Sequence, residues 1–355
     1  MTTGIGDAKI VNVRNDEMKK LKYIIAAALL VFAGSCGNNG GEEASRELFA
    51  MDTVISVKAY GENSAEAVSA AAKRITELEE LFSVTDNNSE ISALNNHTNA
   101  IVSEDTRYVI SEALKICEST SGALDVTIYP VLLEWGFTTD NMHVPADDEI
   151  TAALARTGYE KVSVNGNRIE MPDGYMLDLG SCAKGYAGDE MIETMKNAGI
   201  TSALVNLGGN VQALGARPDG SDWTVGIADP FSPNELLGVI KIHDKAVITS
   251  GGYQRYFTGD DGKVYIHILD PETGRPAESG IVSATVIGGN GLECDALSTA
   301  LFVMGKERAV EYWRENGGFE MVLVTDSGTI CITEGIEAGF RNDSGLPVET
   351  IYERE

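Results

Sequence analysis

Positive charge is what this sequence has least of. Its 355 residues hold 27 Lys and Arg against 54 Asp and Glu, a formal net charge of −27. So acidic a surface repels polynucleotides, which argues against nucleic acid as a partner. It also repels phosphorylated small molecules, so such a substrate needs a metal ion or aimed backbone N–H groups to offset the field. Cysteine is scarce: there are five, none in C-x-x-C spacing, so neither a zinc site nor a thioredoxin-like pair is indicated. Histidine is scarcer, at four, so few imidazoles compete for an acid–base role. The apolar run Tyr23–Phe32 falls well short of the roughly 20 residues that a membrane-spanning helix needs. No solenoid-period repeat is present. What remains is a 43% hydrophobic composition, ordinary for a soluble globular body with a real core.

The first 36 residues read as a processing segment. Met18-Lys19-Lys20-Leu21-Lys22 is a basic start, and Tyr23–Phe32 is the apolar stretch after it. Ala33-Gly34-Ser35-Cys36 places small residues directly before a cysteine. That order resembles a bacterial lipoprotein signal, with Ala33 where Leu is usual, so Cys36 is expected to carry lipid on the extracytoplasmic (periplasmic) membrane face. The true start is then expected at Met18. Residues 37–45, opening Gly37-Asn38-Asn39-Gly40-Gly41, read as a flexible tether, and 46–355 as one folded domain. Cys117, Cys182, Cys294 and Cys331 remain; spacing leaves open whether they bridge or stay buried thiols.

Along the body, residues 49–60 alternate and read as a strand. Asn63 and Glu66 make a capping box for a helix whose stripe is Val68, Ala71, Ile75, Leu78 and Phe82. A second helix runs from Ser103, its N-cap, to Gly122. A hairpin turns at Asn165-Gly166, and a helix over 184–198 stops at Gly199. Short strands follow at 202–207, 223–228, 238–243, 263–269 and 281–287, then a helix pair at 294–304 and 306–316. A last hairpin pairs 320–324 with 329–333. Without a βαβ rhythm, this mixture predicts an α+β fold: one domain of mixed, largely antiparallel sheets flanked by helices.

Four runs carry chemistry. In Leu177-Asp178-Leu179-Gly180-Ser181-Cys182-Ala183-Lys184, a strand end and small residues lead into a helix, presenting N–H groups suited to phosphate. Lys184 adds positive charge where the helix dipole disfavours it, which packing explains poorly. Asn206-Leu207-Gly208-Gly209-Asn210 and Thr249-Ser250-Gly251-Gly252 permit close backbone approach, though each is also a plain turn. His267 ends a strand before the turn Asp270-Pro271-Glu272-Thr273-Gly274, a good place for a general base. Asp295 and Thr299, four apart on an apolar helix, share a face. Two hard oxygens there suit Mg²⁺, and a bare charge on so apolar a helix is otherwise costly.

In this order, and with Met51-Asp52-Thr53, Ser89-Glu90-Ile91-Ser92-Ala93-Leu94-Asn95 and Leu124-Asp125-Val126-Thr127-Ile128-Tyr129-Pro130, these runs resemble the ApbE family of FAD:protein FMN transferases. The resemblance implies FAD as FMN donor, Mg²⁺ on its pyrophosphate, AMP as leaving group and a phosphoester-linked FMN on a Thr or Ser of a flavoprotein. It implies metal ligation by the Ser181 carbonyl and the Asp295 and Thr299 side chains. Met51, Ala123, Leu124, Asp125, Asp178, Lys184 and Leu269 would touch FAD, and His267 would be the base. Acceptors would be subunits of sodium-pumping NADH–quinone reductases or related membrane electron-transport complexes. Cys182 and Cys294, each beside a proposed ligand, could bridge. The chain departs from the family pattern at Val84, where an aromatic is usual, and at Asn210, where Asp is usual. FAD hydrolysis to FMN and AMP, and FAD binding without catalysis, are the two other readings.

Overall fold

The computed structural model describes residues 42–139 and 141–353. The leader, Cys36 and residues 37–41 of the tether lie outside these. A nine-stranded sheet organises the protein, and its strands lie side by side in chain order. They are Glu43–Ala50, Thr53–Tyr60, Ser202–Leu207, Asn210–Leu214, Ala246–Gly251, Ile281–Gly288, Glu320–Thr325, Ile330–Thr333 and Val348–Ile351. Every neighbouring pair is antiparallel except the last, which is parallel. The α+β expectation is met. The first strand begins at Glu43, so residues 43–45, read as tether, belong to the sheet.

Both faces of the sheet are covered. On one lie the helices Ser64–Phe82, Glu104–Ser119, Ala183–Asn197 and Gly291–Asn316, which close the main core. On the other, the strands Trp223–Ala228, Leu236–Ile242 and Phe340–Asn342 form a small second sheet over Val211, Val247, Ile287 and Val322. Strands buried on two faces have no reason to alternate. Asn210–Leu214 is buried at all five positions, which is why a strand containing Asn and Gln after a Gly-Gly turn escapes pattern reading.

The helix stripe Val68, Ala71, Ile75, Leu78 and Phe82 is buried as expected. Its capping box is not formed: Asn63 is left-handed and its side chain caps nothing. Ser103 does cap its helix, accepting from Thr106 N–H, but that helix stops at Ser119, and Gly122 turns the chain beyond. The small hairpin pairs Ser163–Asn165 with Arg168–Glu170, so its turn is Gly166-Asn167, one residue on. The expected helix pair near 294–316 is met: Gly291–Asn316 is two helices parted at Gly305, whose φ of 77° is not helical. The strand expected at 263–269 is two pieces, Val264–Ile266 and Leu269–Asp270, with His267 between them. Cys117, Cys182, Cys294 and Cys331 are all buried free thiols, so Cys182 and Cys294 are not bridged.

The expected single strand 49–60 is a hairpin instead. Ala50 faces Thr53, and Met51 and Asp52 form the two-residue loop with φ of 51° and 58°. Such a turn suits Asn-Gly; Met opposes this backbone, and Asp tolerates it less well than Gly does. Asp52→Gly is therefore expected to stabilise the fold by about 1 kcal/mol. In a chain this long that raises Tm by about 2–3 °C in a thermal melt. An unchanged or lower Tm would show that this turn carries no strain.

Candidate active site

Two tight turns lie at one end of the sheet. Leu207 pairs with Asn210, leaving Gly208 and Gly209 as a loop with φ of 62° and 108°. Gly208 N–H donates to the Val54 carbonyl beside the Met51-Asp52 turn. A Cβ on Gly208 would come within 2.1 Å of Thr53 Oγ1, so both conformation and space require glycine there. Met51 N–H is held by Glu79 Oε1 at 2.6 Å. The strained pair is thus anchored on the helix beneath it.

At this end the helix Gly291–Asn316 passes the start of the helix Ala183–Asn197. Asp295 is buried, and its Oδ2 accepts from Gly185 N–H at 2.9 Å, inside the first turn of that second helix. Its Oδ1 accepts from the Asn210 amide at 2.9 Å. Burial pushes its carboxyl pKa up, opposed by the Lys184 charge and these hydrogen bonds. The carboxylate is therefore held by neutral donors, with lone pairs to spare. One turn on, Thr299 Oγ1 lies 3.1 Å from Ser250 Oγ, which also meets Ser298 Oγ at 2.7 Å. The Ser181 carbonyl belongs to the turn that opens the Ala183–Asn197 helix.

A buried carboxylate held by neutral donors, a hydroxyl on the same face and a nearby turn carbonyl suit a hard divalent ion that completes its shell with phosphate and water. Among the described residues no three His, Cys, Asp or Glu side chains gather as a metal-holding group. Gly185 is as constrained as Asp295: an added Cβ would lie 2.1 Å from Gly291 O and 2.7 Å from Asp295 Cβ. Gly185→Ala is expected to cost at least about 2 kcal/mol by forcing the two helices apart. A chemical-denaturation midpoint equal to the wild type's would refute that contact.

Lys184 connects the rest. Among the described residues its Nζ donates only to Gly180 O, at 3.3 Å, yet its charge acts on Asp178, Asp295 and His267. Asp178 Oδ1 accepts from Gly180 N–H at 2.6 Å, and burial pushes its carboxyl pKa up. The Asp178 N–H donates to Val126 O, which lays the Leu124–Ile128 segment alongside it. Asp125 itself is spent on structure: its carboxylate accepts from Thr127 N–H, Thr127 Oγ1 and Tyr159 N–H. Ala123 and Leu124 are buried, and Leu269 packs with Val131, Trp135 and Phe137.

His267 follows a hairpin whose Phe257 and Tyr265 stack on each other beside Trp135. The Arg255 carbonyl accepts from both the His267 backbone N–H, at 3.1 Å, and Nδ1, at 3.0 Å. A carbonyl only accepts, so Nδ1 carries the proton and Nε2 keeps its lone pair. The Phe137 ring meets the imidazole edge-on at 6.5 Å. Burial, and then the Arg255 and Lys184 charges, push the imidazole pKa down to about 4, partly opposed by the Arg255 carbonyl.

Arg255 is the member that sequence reasoning missed. It sits in Tyr253-Gln254-Arg255-Tyr256, a run with no spacing to another titratable motif, so only the fold reveals it. Asn210 and Ser250 lay in runs already noted as close-approach turns, but their Asp295 and Thr299 partners could not be read from spacing. A second groove, of about 470 Å³, is lined by Glu104, Asp105, Tyr186, Asp189 and Glu190. Asp105 and Glu190 there are already ion-paired with Arg74.

Residues 51–323, spanning all of these elements, match the family model described as ApbE. The chain belongs to the ApbE family. Among its relatives is the FAD:protein FMN transferase of Vibrio cholerae, 35% identical over 263 residues, covering 72% of this chain and 78% of that protein. The FAD:protein FMN transferase of Treponema pallidum is 31% identical over 337 residues, covering 88% and 93%. The solved ApbE protein of Thermotoga maritima superimposes with a TM-score of 0.80 at 33% identity, covering 85% of this chain and 100% of that one. The ApbE fold therefore brings Asp178, His267 and Asp295 of this chain within reach of the Lys184 charge.

Proposed function

We propose that this ApbE-family chain transfers the FMN half of FAD to the hydroxyl of a Thr or Ser in a partner flavoprotein, releasing AMP. The observation that carries the reading is the free Nε2 of His267, aimed by the Arg255 carbonyl and sharing a field with Lys184 and Asp178. A hydroxyl is a poor nucleophile until its proton is taken during attack, and a neutral imidazole with a fixed tautomer takes it. Nε2 accepts the hydroxyl proton as the oxygen forms its bond to the FMN-side phosphorus. The bridging P–O bond breaks, and AMP leaves with that oxygen. Lys184 faces the charge that builds on the phosphates; the Gly180, Cys182 and Ala183 N–H groups are already spent on Asp178 and the Leu179 carbonyl.

Asp295, Thr299 and the Ser181 carbonyl would hold Mg²⁺, which supplies charge neutralisation at the pyrophosphate when bound. In a chain of net charge −27, that neutralisation is needed even to admit the substrate. Met51 and the Ala123–Asp125 segment would border the flavin. A lipid on Cys36 would hold the enzyme on the extracytoplasmic face beside acceptors in membrane electron-transport complexes, raising their effective concentration.

The test is incubation with FAD, Mg²⁺ and a candidate acceptor, read by flavin fluorescence in a denaturing gel and by the acceptor's mass. A gain equal to FMN less water supports transfer. Free FMN and AMP with no labelled acceptor would replace it with hydrolysis. Bound FAD with neither product would leave a flavin-binding protein.

A further inference from the structure

Two cations in this very acidic chain stand together with no carboxylate among the described residues bonded to either. Lys184 donates to the Gly180 carbonyl, and Arg255 Nη1 to the Phe137 carbonyl, at 3.2 Å. Several other arginines of this chain are tied to acids, as Arg74 is to Asp105 and Glu190, and Arg275 to Asp147. The Lys184 and Arg255 charges both act on Asp178 and His267, Lys184 from the helix Ala183–Asn197 and Arg255 from the bend before the strand Tyr256–Thr258. An arginine left exposed in so acidic a chain, while carboxylates abound, is available to an incoming anion.

We propose that Arg255 is a second phosphate-binding cation of the transfer site, gripping with Lys184 the diphosphate of the nucleotide donor. The inference rests on the FAD reading above and adds to it a residue that acts twice. Its carbonyl fixes the tautomer and direction of the base. Its guanidinium, carried by the same residue and held by the Phe137 carbonyl, takes phosphate charge. Aiming the base and seating the phosphorus are thereby coupled through one backbone unit.

Two duller roles compete with this one. Arg255 could simply pin the Phe137 loop, or its guanidinium could lie against a flavin ring. Three ligands tell them apart: FAD, ADP, which has the diphosphate without flavin, and riboflavin, which has flavin without phosphate. Affinities are measured by fluorescence and calorimetry on the full chain, with and without Mg²⁺. Arg255→Gln is expected to weaken FAD and ADP about tenfold, the loss of one charge-assisted hydrogen bond, and to leave riboflavin unchanged. Arg255→Lys keeps the charge and should recover most of that loss.

A readout independent of ligand checks the same placement. The groups whose charges face His267 are Arg255 and Lys184. Removing one positive charge must raise the imidazole pKa, so in Arg255→Gln the His267 titration, followed by NMR, moves up by about 0.5–1 unit. In Arg255→Lys it stays near the wild-type value. Equal losses for riboflavin and FAD, or no loss for either nucleotide, would overturn the proposal. A wild type that binds FAD and ADP but flavinylates nothing overturns the transfer reading and leaves the phosphate grip standing. One that binds neither overturns both.

Discussion

Replacing His267 with Gln should lower FMN transfer by about 10²–10⁴-fold, the usual worth of a positioned base. FAD affinity should stay within a few-fold, because the imidazole is aimed by a protein carbonyl and has no carboxylate partner to strand among the described residues. Gln is close to the imidazole in size and has no basic nitrogen, so the variant removes the base with little change in volume. Initial rates of acceptor labelling at saturating FAD measure the effect. A His267→Gln enzyme labelling within tenfold of the wild type would mean that another group takes the proton. Some labelling regained with added imidazole would place the missing base where Nε2 was.

The pH dependence follows from the same contacts. With its pKa pushed down to about 4, His267 is neutral through the physiological range and ready to accept. The acid limb of kcat/KM, which reports the free enzyme, should therefore fall below pH 5 and not near the ordinary imidazole value of about 6.5. Stability carries the matching sign. The folded protein binds this proton less readily than the unfolded chain does. The contribution is thus fully present above about pH 6.5 and is lost as the pH falls toward 4.

What the sequence revealed and what it hid divide along physical lines. Helices with one apolar stripe, such as Ser64–Phe82, declare themselves because solvent enforces their period. Asn210–Leu214 and Ala246–Gly251 lie inside the sheet and under the second one, so no face of theirs needed to be polar. The Met51-Asp52 turn was invisible because Met is not a residue that turns prefer and Asp alone signals little; its strain is tolerated by the register on either side and by Glu79. At the site, Asp295 and Thr299 were legible from helical spacing alone. Asn210, Ser250 and Arg255 were not read as partners. They come from separate strands and loops, and nothing along the chain records which distant groups the fold will set against them.

The second large effect belongs to Asp295. Asp295→Asn should abolish labelling and, more tellingly, remove the rise in Tm that Mg²⁺ with FAD gives the wild type by binding the native state. The apo protein should barely notice. An amide oxygen can still accept from Gly185 N–H, and Asn210 can turn its own oxygen toward the new NH₂. Asp295→Ala is harsher, because both donors are then buried without an acceptor at about 1–3 kcal/mol each. Part of that is returned by no longer burying a carboxylate. The Asn variant therefore separates ligand binding from folding, where the Ala variant mixes them. Undiminished labelling by either would remove Asp295 from the metal and leave it only as the acceptor that joins the two helices. Lost labelling with a normal Mg²⁺-dependent Tm shift would place the ion elsewhere. Only the joint loss, in a protein that melts like the wild type without ligand, fits a carboxylate whose spare lone pairs hold the ion.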